Sequence, residues 1–101
     1  MKYVIEWKLR PGGSNAENEA AAERSLQIFS KWEPAAKFIE FVSRVDNGGG
    51  FAVVEADDPS QVMKDTSKFG SFLDFTVYPV IDIAESIAIL QEANDYRSSI
   101  S

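Results

Sequence analysis

The apolar residues of this chain switch repeatedly between a period of two and a period of about 3.6, and the order of those switches restricts the fold more than any other feature. The opening segment alternates strictly. Tyr3, Ile5, Trp7 and Leu9 share one side, and Val4, Glu6 and Lys8 the other, as in a strand buried on one face. Pro11-Gly12-Gly13 breaks it. Ser14 followed by Glu17 is a capping-box signature for a helix reaching about Trp32, with Ala21, Ala22, Ser25, Leu26, Ile28, Phe29 and Trp32 on one arc. Pro34 stands just past its end, where a residue without an N–H is tolerated.

A second strand is predicted over 37–46, with Ile39, Phe41 and Val45 on one side and Phe38, Glu40, Val42 and Arg44 on the other. Asn47-Gly48-Gly49-Gly50 tolerates positive φ and predicts a hairpin into a strand over 51–56, whose register is open by one residue. A flexible glycine linker is the alternative, and the strand-like flanks oppose it. Asp58-Pro59 starts a shorter helix, with Asp58 as N-cap, an apolar face of Val62, Met63, Thr66 and Phe69, and an end at Gly70. Residues 74–81 form a fourth strand, placed at a sheet edge because Pro79 cannot donate to a ladder. Asp82 with Glu85 opens a third helix carrying Ile83, Ala84, Ile87 and Leu90, and from Asn94 the chain reads as a polar, fraying tail.

This β-α-β-β-α-β order with a terminal helix is the ferredoxin-like, split-βαβ arrangement of an α+β fold, with a four-stranded antiparallel sheet. With 101 residues, 45% of them apolar, there is room for a single domain, read as 1–93 with the tail at 94–101. Helices cover one sheet face. The other would carry Val4, Phe38, Val42, Phe51 and Val53 among Glu6, Lys8, Glu40, Arg44 and Glu55, too apolar for a pure solvent face and too charged for a dry core. A facing sheet from a second copy solves this, giving a homodimeric α/β barrel with a partly wet cavity. Ile89, off the main face of the third helix, is either an outer contact or an ordinary exposed isoleucine.

Composition removes several functions. A net charge of −6 disfavours nucleic acid, and the scattered basic residues offer no run to dock on an anionic membrane. No stretch approaches the roughly 18 apolar residues of a membrane span. Glu6, Lys8 and Arg10 interrupt the first apolar segment, which does not read as a signal peptide. The absence of cysteine fits a cytoplasmic location and removes thiolate chemistry. The absence of histidine removes Ser-His and Cys-His catalysis. The acidic residues match no calcium loop, and the glycine run is no phosphate loop, since no Lys-Ser/Thr follows. Neither a metal nor a cofactor is expected.

What remains is a set of cavity candidates: Glu6, Lys8, Glu40, Arg44, Glu55 and Tyr78. The glutamates could converge as an acid/base group, or could pair with Lys8 and Arg44 as ordinary cross-strand ion pairs. Arg44 could hold a carboxylate ligand, with Tyr3, Trp7 or Tyr78 as aromatic wall, of which alternation favours Tyr78 because it puts Tyr3 and Trp7 on the helix side.

Met1 to Gly12, the run Gly50-Phe51-Ala52-Val53-Val54-Glu55-Ala56-Asp57-Asp58, then Phe72-Leu73-Asp74-Phe75 and Pro79-Val80 together resemble the domain-of-unknown-function 3303 family. These are short bacterial and phage-borne proteins within the dimeric α/β-barrel, ferredoxin-like group. The likeness runs to about Asp82. It implies the fold and names no reaction, because the wider group holds cofactor-independent monooxygenases, haem-degrading enzymes, isomerase-like proteins and stress-induced barrels. Three functions follow as expectations: a non-enzymatic homodimer that binds a small, partly apolar ligand or serves as an accessory subunit; a cofactor-independent enzyme with a glutamate base and Arg44 as charge stabiliser; or an interaction module that is monomeric alone.

Overall fold

The computed structural model describes residues 1–10 and 12–100; Pro11, expected to end the first strand, lies outside them, as does Ser101. The elements are β1 (Lys2–Leu9), α1 (Asn15–Lys31), β2 (Lys37–Ser43), β3 (Gly49–Glu55), α2 (Pro59–Ser67), β4 (Leu73–Val80) and α3 (Ile83–Ile100). The strands form one antiparallel sheet in the order β2-β3-β1-β4. This is the ferredoxin-like α+β fold that the order of periods predicts. No helix among the described residues is long and apolar enough to cross a membrane.

Local chemistry places the ends. Ser14 caps α1 by accepting the Glu17 N–H at 3.2 Å. Asp58 caps α2 by accepting from the Ser60 N–H at 2.8 Å and from the Ser60 hydroxyl. Those Ser60 bonds, the hydroxyl's first, hold the Asp58 carboxyl below its ordinary 3.8. A group depressed on folding stabilises above its unfolded pKa, and that contribution disappears as pH falls through the folded value. The melting-temperature gap between the native chain and Asp58→Ala should therefore be constant from neutrality to about pH 5 and shrink below pH 4; a gap that persists undiminished at pH 2 would count against this.

Sheet register settles which residues face the helices. Tyr3, Ile5, Ala52 and Val54 are buried there with Ala36, Ala56 and Val62, and Trp7, Phe38 and Phe75 pack against them. Phe38 is a correction to the open-face set. On β2, Phe38 pairs with Val54 and Glu40 with Val53, so two steps on β2 match one on β3, and the bulge at Ile39 restarts the alternation. Phe38 and Phe41 consequently reach the same side. Their ring centroids lie 5.0 Å apart, Phe38 meets Trp32 edge-on at 5.1 Å, and Phe41 meets Trp7 at 5.2 Å. The aromatic contacts outweigh strict alternation here.

The hairpin also differs. Pairing on β3 begins at Gly49, opposite Lys8, and Gly50 lies opposite Trp7, so two of the three glycines belong to the strand. The turn is made by 44–48, with Asn47 at φ 61°. Pro79 sits on edge strand β4, as its missing N–H requires.

The helices cover the sheet less than their patterns predict. α1 has no buried residue: Phe29 and Trp32, at its last turn, reach the aromatic cluster, whereas Leu26 is 67% exposed. On α2, Val62 is buried but Met63 is exposed, and the buried neighbour is Asp65. α3 continues through Ile100, so the stretch expected to be a fraying tail from Asn94 is helical instead.

Candidate functional site

The sheet face away from the helices is arranged in rows across β2, β3, β1 and β4. At one end Lys37, Glu55, Lys2 and Val80 lie in register; next come Glu40, Val53, Val4 and Tyr78; then Val42, Phe51, Glu6 and Thr76; and at the other end Gly49, Lys8 and Asp74. The two middle rows are apolar apart from Glu6, Glu40 and the hydroxyls of Thr76 and Tyr78. Nothing among the described residues covers them. Phe51, Val42 and Tyr78 remain exposed, while Val4, Val53 and Glu6 are half-buried.

Five of the six candidate residues therefore share this face, but they do not converge. Glu6 stands on an inner strand between Phe51 and Thr76. Glu40 lies on the outer strand β2, two strand spacings from β1, about 10 Å. Glu55 belongs to the end row with Lys2 and Lys37, and its charge, after the larger effect of Asp82, helps hold the Lys2 ammonium above its ordinary pKa. Lys8 lies opposite Asp74, whose carboxylate pairs with Arg10 at 2.9 Å. Tyr78 lies directly beside Val4, exposed.

Arg44 departs from the expected set. β2 ends at Ser43, and the Arg44 guanidinium pairs with Asp46 inside the turn. Asp46 in turn accepts the Gly48 N–H at 2.9 Å. That backbone bond first, and Arg44 second, hold the Asp46 carboxyl below its ordinary value. Arg44 thus serves the hairpin. Among the described residues the ion pairs are Lys2–Asp82, Arg10–Asp74 and Arg44–Asp46, so the cross-strand pairing of Glu6 and Glu40 with Lys8 and Arg44 is not what forms.

Two features escape sequence reading. Asp65 is 3% exposed and accepts three hydrogen bonds, from Trp32 Nε1 at 3.1 Å, the Ala35 N–H at 2.8 Å and the Ala36 N–H at 3.0 Å. It ties α2 to the end of α1 and the entry of β2. A polar residue between Lys64 and Thr66 carries no signal of this role; only the fold brings it under the α1–β2 link. The second feature is a groove of about 530 Å³ between α1, α2 and the sheet, lined mainly by Trp7, Leu9, Leu26, Phe29, Phe41 and Phe75. It exists because α1 stands clear of the sheet except at its last turn.

The fold recurs in a Thermotoga maritima protein described as a candidate thiamine biosynthesis/salvage protein, 13% identical, with a TM-score of 0.52 over 89% of this chain and 99% of that one. SnoaB, a cofactor-independent oxygenase from Streptomyces nogalater, aligns over 80% of this chain and 92% of its own at 11% identity, with a TM-score of 0.34. The first of these supports the fold alone, and the second is too distant to bear on it. No curated protein matches the sequence. The model of the family described as Domain of unknown function (DUF3303) matches residues 1–94, and the chain belongs to that family.

Proposed function

We propose that two copies of the chain pair through the open faces of their sheets and enclose a partly polar cavity that binds a small, partly apolar molecule, with Glu6 as its central acidic group. The observation that carries this reading is the pair of middle rows, where Val4, Val53, Phe51, Val42 and Tyr78 form a continuous uncovered apolar surface around one inner-strand carboxylate. Apolar area of that kind gains by association. Lys2, Lys37, Glu55, Lys8 and Asp74 at the two ends supply a polar rim. Glu6 would accept hydrogen bonds or a positive charge from the ligand, and the Tyr78 hydroxyl could donate or accept.

The enzymatic alternative loses a component, because Arg44, its charge stabiliser, is held by Asp46 in the hairpin. An accessory subunit remains compatible with the same dimer, whereas a pure interaction module predicts a monomer.

Light scattering should give at least the dimer mass for the native chain at micromolar concentration, and Val53→Glu, which places a charge in the middle of the interface, should dissociate to monomer at a higher concentration on dilution than the native chain does. A native monomer would refute the pairing. For the cavity, benzylamine should raise the melting temperature of the native chain more than that of Glu6→Gln, and phenylacetate should raise neither. Equal shifts in both proteins would remove Glu6 from the site.

A further inference from the structure

We infer that α3 is an exchange arm, which seats its apolar side in the groove between α1, α2 and the sheet of a second copy of this chain. The molecule measures 64 × 26 × 21 Å with a radius of gyration of 18.3 Å, against about 13 Å for a compact chain of this length. An eight-residue strand accounts for roughly 26 Å of the long axis and an 18-residue helix for about 27 Å. An α3 that continues past the end of the sheet accounts for most of that long axis. Its root is short and held: only Ile81 and Asp82 separate it from β4, and Asp82 pairs with Lys2.

α3 buries none of its residues, and its large apolar side chains gather on one half of its circumference. Projected at about 100° per residue, Ile83, Ile87 and Leu90 form one stripe and Ile89, Tyr96 and Ile100 a second on the same half of the helix, with Ser86 and Arg97 between them, Glu85 and Glu92 bordering the second stripe and Asp95 opposite. All six apolar residues are exposed, from 51% at Ile89 to 76% at Ile83. A lone helix rich in β-branched residues is marginal in water without a surface for that side.

The groove supplies such a surface. It is almost wholly apolar, and its outer wall is α1, whose Leu26 and Phe29 face it while still exposed. The charges match as well. Arg24 and Lys31 on α1, Lys64 on α2 and Lys68 just past its end adjoin groove residues in sequence, and none of them takes part in the ion pairs of the described residues. Glu85 and Glu92, at the border of the arm's apolar half, are acidic. At about 2 kcal/mol per buried aliphatic side chain and about 25 cal/mol per Å², each of the six removes roughly 80 Å² from water. Two arms and the two surfaces receiving them then bury about 2,000 Å², the size of a stable dimer interface. The inference needs a second copy but does not rest on the open sheet faces meeting.

The chain has no cysteine, so engineered ones report contacts without interference. Leu90→Cys protein mixed with Leu26→Cys or Phe29→Cys protein and oxidised at micromolar concentration should give a disulfide-linked pair containing one of each. The double variant Leu26→Cys/Leu90→Cys should run at twice the chain mass or above. A closed monomer from the double variant would mean that the helix folds back on its own body, and no cross-link at either groove position would mean an unoccupied groove; each overturns the inference. As an independent readout, both tryptophans line the groove. Ile87→Asp/Leu90→Asp should shift their emission to the red, and unchanged emission would also overturn it. The cross-link should survive Val53→Glu, which separates arm exchange from open-face pairing.

Discussion

Replacing Asp65 with alanine should lower the stability of the fold by about 3–5 kcal/mol, because one carboxylate satisfies three donors at the junction of α1, β2 and α2. Its removal leaves the Ala36 N–H buried without a partner, and the Ala35 N–H and Trp32 Nε1 only partly within reach of water. Each stranded donor costs roughly 1–3 kcal/mol, with the lower figure for the two that water can approach. Against a typical total of about 5–15 kcal/mol, such a loss leaves a domain near its unfolding threshold. Thermal melting should show a fall of roughly 12–40 °C, at about 4–8 °C per kcal/mol for a chain of this size. Asp65→Asn keeps one acceptor oxygen and turns an amide toward the remaining N–H groups, so it should lie between the two. A loss under about 1 kcal/mol for the alanine variant would show that the network is not what joins these elements.

Gly49→Ala should be as damaging, through a different mechanism. Gly49 pairs with Lys8 at φ 145°, and a Cβ there would lie 1.9 Å from the Trp7 carbonyl oxygen. That neighbour is backbone inside a paired strand, so it cannot move aside without opening the β1–β3 ladder. The expected loss is about 4 kcal/mol or more, the range reached only by core disruption or a broken backbone constraint. Gly70→Ala is the control. Its Cβ would come no closer than 3.7 Å to any neighbour, at an ordinary φ, and reduced unfolded-state freedom should leave stability unchanged or higher by a few tenths of a kcal/mol. Urea unfolding of the two variants side by side measures the contrast; equal midpoints would refute the close-approach argument.

Much of the fold was legible because its signals are local. Alternation from Tyr3 to Leu9, the Ser14 and Asp58 caps and the placement of Pro79 at an edge depend on residues a few positions apart, and each is found as expected. Open-face membership of Glu6, Lys8, Glu40, Glu55 and Tyr78 follows from the same two-residue period. The structure departs from the pattern where a side-chain contact, near or distant along the chain, overrode the strand period. Phe38 left the open face because Trp32 and Phe41 draw it to the other side through a bulge. Arg44 left it because Asp46 captures it just past the strand end. The glycines joined β3 because the Trp7 ring and backbone need the space that a side chain would fill. In α3, periodicity was legible as far as Leu90, but the polar residues after Asn94 obscured a second apolar stripe through Ala93, Tyr96 and Ile100.

By itself the sequence determined the class of fold, the ends of most elements and the mixed character of one sheet face, since these are set by period, capping and turn chemistry over short spans. Tertiary structure alone decided that Glu6, Glu40 and Glu55 stand in different rows, that Asp65 is a buried junction, and that α1 leaves an apolar groove while α3 buries none of its residues. Each of these depends on strand order, register and helix placement, which bring together residues some 30 to 50 positions apart whose spacing along the chain carries no trace of their meeting.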